Sequence, residues 1–220
     1  MKDGDTRGES EVAVFSLLER GFSELPLSPE PDQLAALTEL ILLLEAWASK
    51  INLTGHRDAI AMTRGLVLDA AALAGVLPEL GSAERVADLG TGAGFPGLPL
   101  AILFPETEFT LVDSRKKRNH FQREARRRLG LPNVRPVLGR SDEVERHPCD
   151  LVLAQAMTQP GPALLRMAEW AGPEAVLALP GSDASTPPPV PDGYRAPELR
   201  RYRVPESETE RRLWLVSRDL

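Results

Sequence analysis

One cysteine, three histidines and no long apolar run set the first limits on this 220-residue sequence. A lone Cys149 rules out an intramolecular disulfide and any cysteine-based metal cluster. His56, His120 and His147 lack the close spacing of a zinc ligand set, so no metal is expected. No apolar stretch approaches a membrane span, and the polar opening from Met1 to Ser10 lacks the apolar core of a signal peptide. These absences predict a cytoplasmic protein without membrane contact. The length suits one sizeable core with a small appended segment, and a monomer is expected.

Acids outnumber bases, 32 to 26, for a formal net charge of −6. That balance argues against coating nucleic acid by bulk electrostatics, but distribution matters more than the total. Between Ser114 and Arg128 lie Arg115, Lys116, Lys117, Arg118, Arg123, Arg126, Arg127 and Arg128 against the single acid Glu124. This run is either a face for an anionic partner or merely a solvated helix face.

Apolar residues recur at three- and four-residue spacing from Val12 to Leu18 and from Leu34 to Trp47, predicting two amphipathic helices separated by Pro26, Pro29 and Pro31. A further helix is expected from about Asp58 to Ala74. From Arg85 the pattern becomes short apolar runs at 85–89, 108–113, 134–138, 150–154 and 175–179, alternating with helical stretches at 97–103, 115–129 and 160–171. Such alternation predicts a parallel sheet with right-handed crossovers. After a proline-rich loop at 185–193, stretches at 194–204 and 211–216 predict an antiparallel hairpin. The expected organisation is an N-terminal helical segment over 1–80, packed on an α/β domain over 81–220.

The strongest local signal is Asp88-Leu-Gly-Thr-Gly-Ala-Gly94, set after a strand and before a helix. Gly90, Gly92 and Gly94 allow a sharp turn and close approach to a ligand. Gly92 to Gly97 also matches a dinucleotide fingerprint, which leaves an NAD-type oxidoreductase as a competing reading. Asp88 separates the two. A carboxylate there repels a pyrophosphate but attracts the cationic amino group and sulfonium of S-adenosylmethionine. Asp113, closing the second strand, can accept hydrogen bonds from the adenosine ribose.

These residues carry a family resemblance. Together with Trp47 to Asp58, Gly-Phe-Pro-Gly-Leu-Pro-Leu100, Leu111 to Arg118 and Gly139-Arg-Ser-Asp142, the loop resembles the bacterial 16S rRNA guanine-N7 methyltransferase G family, also called glucose-inhibited division protein B. The resemblance spans about Leu34 to Val216. It implies a Rossmann-like class I S-adenosylmethionine-dependent methyltransferase fold acting on small-subunit ribosomal RNA or a ribosomal particle. Cofactor contacts implied by the family fall on Gly90, Phe95, Ser141 and Asp142, the last toward the adenine end. Asn52, Leu53 and Thr54 match an element implied to pack the helical segment onto the domain.

The departures are basic residues lost. A family histidine is Leu66 here, an arginine after the fourth strand is Gln155, and a lysine after the fifth is Pro180, whereas Asp69 is kept. Gln155 is expected beside the cofactor or at a guanine edge. Guanine N7 carries an unshared pair in its neutral form, so no general base is expected. Two enzyme-family readings stay open: a guanine-N7 methyltransferase, and a degenerate member that binds the donor and RNA without efficient transfer.

Overall fold

The computed structural model describes residues 3–155, 159–181 and 187–219. Helices α1 (Asp3–Ser23) and α2 (Pro31–Ala48) open the chain. Pro31 sits at the start of α2, where a missing N–H costs nothing, and Gln33 reaches back to accept from the Glu30 amide at 2.9 Å. The same Gln33 donates through Nε2 to the Ile102 carbonyl at 2.8 Å, capping a later helix.

The helix expected from Asp58 to Ala74 is broken into three. It comprises α3 (Ala59–Met62), a π-helical turn (Thr63–Leu68) and α4 (Asp69–Gly75). Within it the Thr63 hydroxyl donates back to the Ala59 carbonyl, and Gly21 of α1 lies so close that a methyl group there would strike Leu68. Periodicity tolerates one inserted residue, so the π turn was invisible to it.

β1 (Arg85–Leu89), α5 (Gly97–Leu103), β2 (Glu108–Asp113), α6 (Lys116–Arg128), β3 (Val134–Leu138), β4 (Cys149–Ala154), α7 (Pro160–Ala168), β5 (Ala171–Gly181), β6 (Glu198–Arg203) and β7 (Glu210–Ser217) follow. They form one seven-stranded sheet in the order β3-β2-β1-β4-β5-β7-β6. All pairs are parallel except β5 with β7 and β7 with β6. The ends of β1 and β4 therefore lie side by side at the switch point, where open α/β sheets bind ligands.

Two expectations need correction. The helix drawn to Ala171 ends at Ala168, because Trp170 turns inward and donates through Nε1 to the Ser141 carbonyl at 3.0 Å, and β5 starts at once. The strand expected from Tyr194 starts at Glu198, since Pro197 has no N–H to give the ladder, and Tyr194 makes an isolated bridge to Arg218. In the proline-rich loop expected over 185–193, Ser185 and Thr186 lie outside the described residues; Pro187 to Gly193 is irregular.

The apolar side chains form a core on each face of the sheet. One joins α1, α2, α4, α5 and α6 to the sheet through Leu17, Leu40, Leu73, Leu98 and Phe121. The other packs α7 and Trp170 against Val152, Leu177 and Val216. Trp47 of α2 meets Phe121 of α6 edge to face, centroids 5.7 Å apart.

Candidate functional site

The glycine loop leaves β1 with Gly90, Gly92 and Gly94 all in the left-handed region, at φ of 70°, 63° and 98°. Amides of Gly90 and Thr91 donate to the Val112 carbonyl at 2.8 and 3.1 Å, strapping the loop to the end of β2. Asp113 continues the strap: its Oδ2 accepts from the Gly92 amide at 3.0 Å and its Oδ1 from the Arg115 amide at 2.7 Å. Gln122 of α6 donates to the Gly92 carbonyl at 2.7 Å.

Asp88 lies beneath this loop. Its side chain is fully buried, and Oδ2 accepts from the Thr91 hydroxyl at 2.6 Å and the Gly97 amide at 2.9 Å, while Oδ1 has no partner among the described residues. Burial pushes its pKa up to about 6; the two hydrogen bonds oppose this and Asp113 adds to it. Direct facing of a ligand was expected, but Asp88 lines neither neighbouring cavity. Gly94 is likewise beneath, because a Cβ there would lie 2.5 Å from Leu98. At Gly92 a Cβ would meet nothing nearer than Arg118 at 3.8 Å, so that position opens outward.

Two cavities flank the loop and share Gly90 and Arg118. The first, about 400 Å³, is lined by Asp113, Arg115, Ser141, Asp142 and Arg166. Arg118 donates to Asp113 Oδ2 at 3.3 Å. Asp142 pairs with Arg140 at 3.2 Å and also with Arg166, and these guanidiniums hold its carboxyl well below the usual carboxylate range. Sequence reasoning placed Asp113, Ser141 and Asp142 together, and all three line this space.

The second cavity, about 320 Å³, collects Gly92, Phe95, Leu53, Thr54, Leu66 and Gln155. Its back wall is a buried polar cluster. Asp69 of α4 accepts from the Tyr202 hydroxyl at 3.1 Å and from Arg211 Nε at 3.3 Å, and Gln155 lines the same cavity. Burial raises the Asp69 pKa against the opposing pull of Arg211, and burial with the neighbouring carboxylate raises that of Tyr202. Tyr202, and the pairing of Arg211 with Asp69, were missed by sequence reasoning, since nothing local marks residues on a terminal hairpin as partners of Asp69. Of the departures from the family pattern, Leu66 and Gln155 line this cavity; Pro180 is buried in β5 opposite Leu213 and lines neither. Ala156, which follows Gln155, lies outside the described residues.

The basic run is divided by the helix. Arg115 and Arg118 face the first cavity, whereas Arg127 pairs with Glu124 at 2.7 Å and Arg128 with Glu39 at 2.6 Å. Among the described residues no cluster of three metal-ligating side chains occurs, and no helix is long and apolar enough to cross a membrane.

Residues 33–181 match the family model for rRNA small subunit methyltransferase G. A ribosomal RNA small subunit methyltransferase G of Chromohalobacter salexigens is 34% identical over 214 residues, covering 94% of this chain and 98% of that one. The Alteromonas mediterranea protein of the same name is 38% identical over 161 residues, 71% of each chain. Among solved structures, a putative methyltransferase of Escherichia coli superimposes with a TM-score of 0.54 at 17% identity, over 69% of this chain and 86% of that one. An S-adenosylmethionine-dependent methyltransferase from Aquifex aeolicus gives 0.51 at 20% identity, over 71% and 92%. At these identities the two structures establish a shared fold.

Proposed function

The chain belongs to the rRNA small subunit methyltransferase G family, and from that premise we propose that it transfers a methyl group from S-adenosylmethionine to N7 of a guanine in small-subunit ribosomal RNA. The observation that carries this reading is the pair of cavities meeting at Gly90 and Arg118, one for a donor and one for an acceptor.

The donor-side residues fit a cationic adenosyl ligand. Gly90 lines the space beside the loop, Asp88 Oδ1 is a buried carboxylate oxygen without a hydrogen-bond donor among the described residues, and Asp113 retains lone pairs for ribose hydroxyls. Ser141 and Asp142 stand at the adenine end, and Phe95 closes the acceptor side. The donor supplies an activated methyl on a sulfonium. As the bond from carbon to N7 forms, the bond to sulfur breaks and its electron pair stays on sulfur. Positive charge passes to the purine and no proton moves. The protein's task is therefore alignment, which can supply several kcal/mol of barrier reduction.

This reading divides the chain near residue 80, with the helical segment packed on the methyltransferase domain, and has the protein act as a cytoplasmic monomer. A second reading, donor binding without efficient transfer, draws on Leu66 and Gln155, which leave the acceptor cavity with fewer cations than the family pattern carries. Calorimetry with S-adenosylmethionine, its demethylated product and NAD tests the donor. Methylation mapping of ribosomal RNA from cells with and without the gene tests the transfer, and an unchanged guanine-N7 pattern in donor-binding protein favours the second reading.

A further inference from the structure

We propose that the His56 imidazole is the group that meets the acceptor base, seated in the second cavity because residue 65 has no side chain. The proposal rests on reading that cavity as the acceptor side.

Gly65 lies in the π-helical turn, outside the left-handed region that would demand glycine. A glycine weakens a helix it does not need to bend. What it provides here is space: a Cβ at residue 65 would lie 2.5 Å from His56 Nε2 and nearer still to Cε1. The ring occupies the place of the missing side chain. His56 itself is delivered by the segment between α2 and α3, where its amide donates to Thr54 Oγ1 at 3.2 Å.

Four polar side chains of the cavity are engaged: Tyr202 and Arg211 both donate to Asp69, and Arg118 donates to Asp113. The His56 ring makes no hydrogen bond to a described residue, is half-buried, and lines the same cavity as Phe95 and the glycine loop. A flat ring with uncommitted nitrogens suits a purine in two ways. Its face can stack on any base, and an N–H can donate to guanine O6, the acceptor beside N7, where adenine presents an amino group. Holding O6 leaves N7 turned toward the donor.

Three variants test this: His56→Ala, Gly65→Ala and the double substitution. With saturating S-adenosylmethionine and small-subunit ribosomal RNA as acceptor, His56→Ala should lower kcat/KM about tenfold, the worth of one stacked base, with donor affinity unchanged by calorimetry. Gly65→Ala should reproduce the loss by displacing the ring, and the double variant should be no worse than His56→Ala. Only three histidines need assigning in the proton spectrum. With the demethylated product bound, guanosine 5′-monophosphate should move the His56 ring signals more than adenosine 5′-monophosphate does, and leave His120 and His147 in place. Unaltered transfer by His56→Ala, or His56 signals indifferent to guanosine monophosphate, overturns the proposal. A wild-type protein that transfers nothing defeats the functional reading instead, and the guanosine titration then decides His56 alone.

Discussion

The Tyr202 hydroxyl donates to Asp69 Oδ1 at 3.1 Å and so joins α4 to β6 across 133 positions of sequence. Asp69 is almost wholly buried, so each donor it loses leaves a carboxylate short of compensation. Tyr202→Phe should therefore destabilise the fold by about 1–3 kcal/mol. Urea unfolding measures this, and an unmoved midpoint means that water replaces the phenol.

Gly92 and Gly94 should respond differently to the same change. Gly92→Ala strains a left-handed position whose amide Asp113 holds, so it should weaken donor binding through Asp113 at a stability cost of roughly 1–2 kcal/mol. Gly94→Ala adds a collision with Leu98 and should lower Tm further. Equal donor affinity in wild type and Gly92→Ala would remove the loop from the binding site.

Asp88 predicts a pH signature. Its folded pKa, about 6, lies above the ordinary carboxylate value of 3.8, so the neutral form is favoured on folding. The stability tied to its proton is full below about pH 4 and disappears as pH rises through 6, a change on the order of 3 kcal/mol. Asp88→Asn keeps an oxygen to accept from Thr91 and Gly97 and should lose this slope. Its affinity for the cationic donor should also stop rising between pH 5 and 7. Parallel pH profiles for both proteins would contradict the buried-charge account.

Asp113→Ala should weaken S-adenosylmethionine and its demethylated product alike, by at most about 1.5–3 kcal/mol for each hydrogen bond lost. Because Asp113 also accepts from the Gly92 amide, hydrogen exchange at that amide should quicken in the ligand-free variant. A loss restricted to the donor would exclude a shared ribose contact.

Gln155→Arg should strengthen RNA binding and steepen its salt dependence by roughly one counterion, with donor affinity little changed. Titrations of RNA and donor against one variant separate the possibilities: a constant salt slope with altered donor affinity moves residue 155 to the donor side.

Legibility in the sequence followed locality. The bounds of β1, β2, β3 and α5 could be read because each is a short apolar or helical run closed by its own breakers. The glycine loop was equally plain. Whether Asp88 lies above or beneath that loop was not, since both places follow a strand end, and only packing decides between them. The end of α7 was misread because Trp170 keeps helical phase while leaving the helix. The meeting of Asp69 with Tyr202 and Arg211 could not be read, as it happens only after the sheet has brought the last hairpin beside β5.

That hairpin gives the two cavities different birthdays on the ribosome. Gly90, Asp113 and Arg118 have all been synthesised by residue 118, and the lining of the first cavity is complete once Arg166 has emerged. Arg211 comes from the final strand, so the wall of the second cavity stays open until the chain is nearly finished. Domains fold as units while synthesis proceeds from the N-terminus. A stalled or clipped nascent chain lacking β7 would thus carry the residues that line the first cavity while leaving Asp69 without its Arg211 partner.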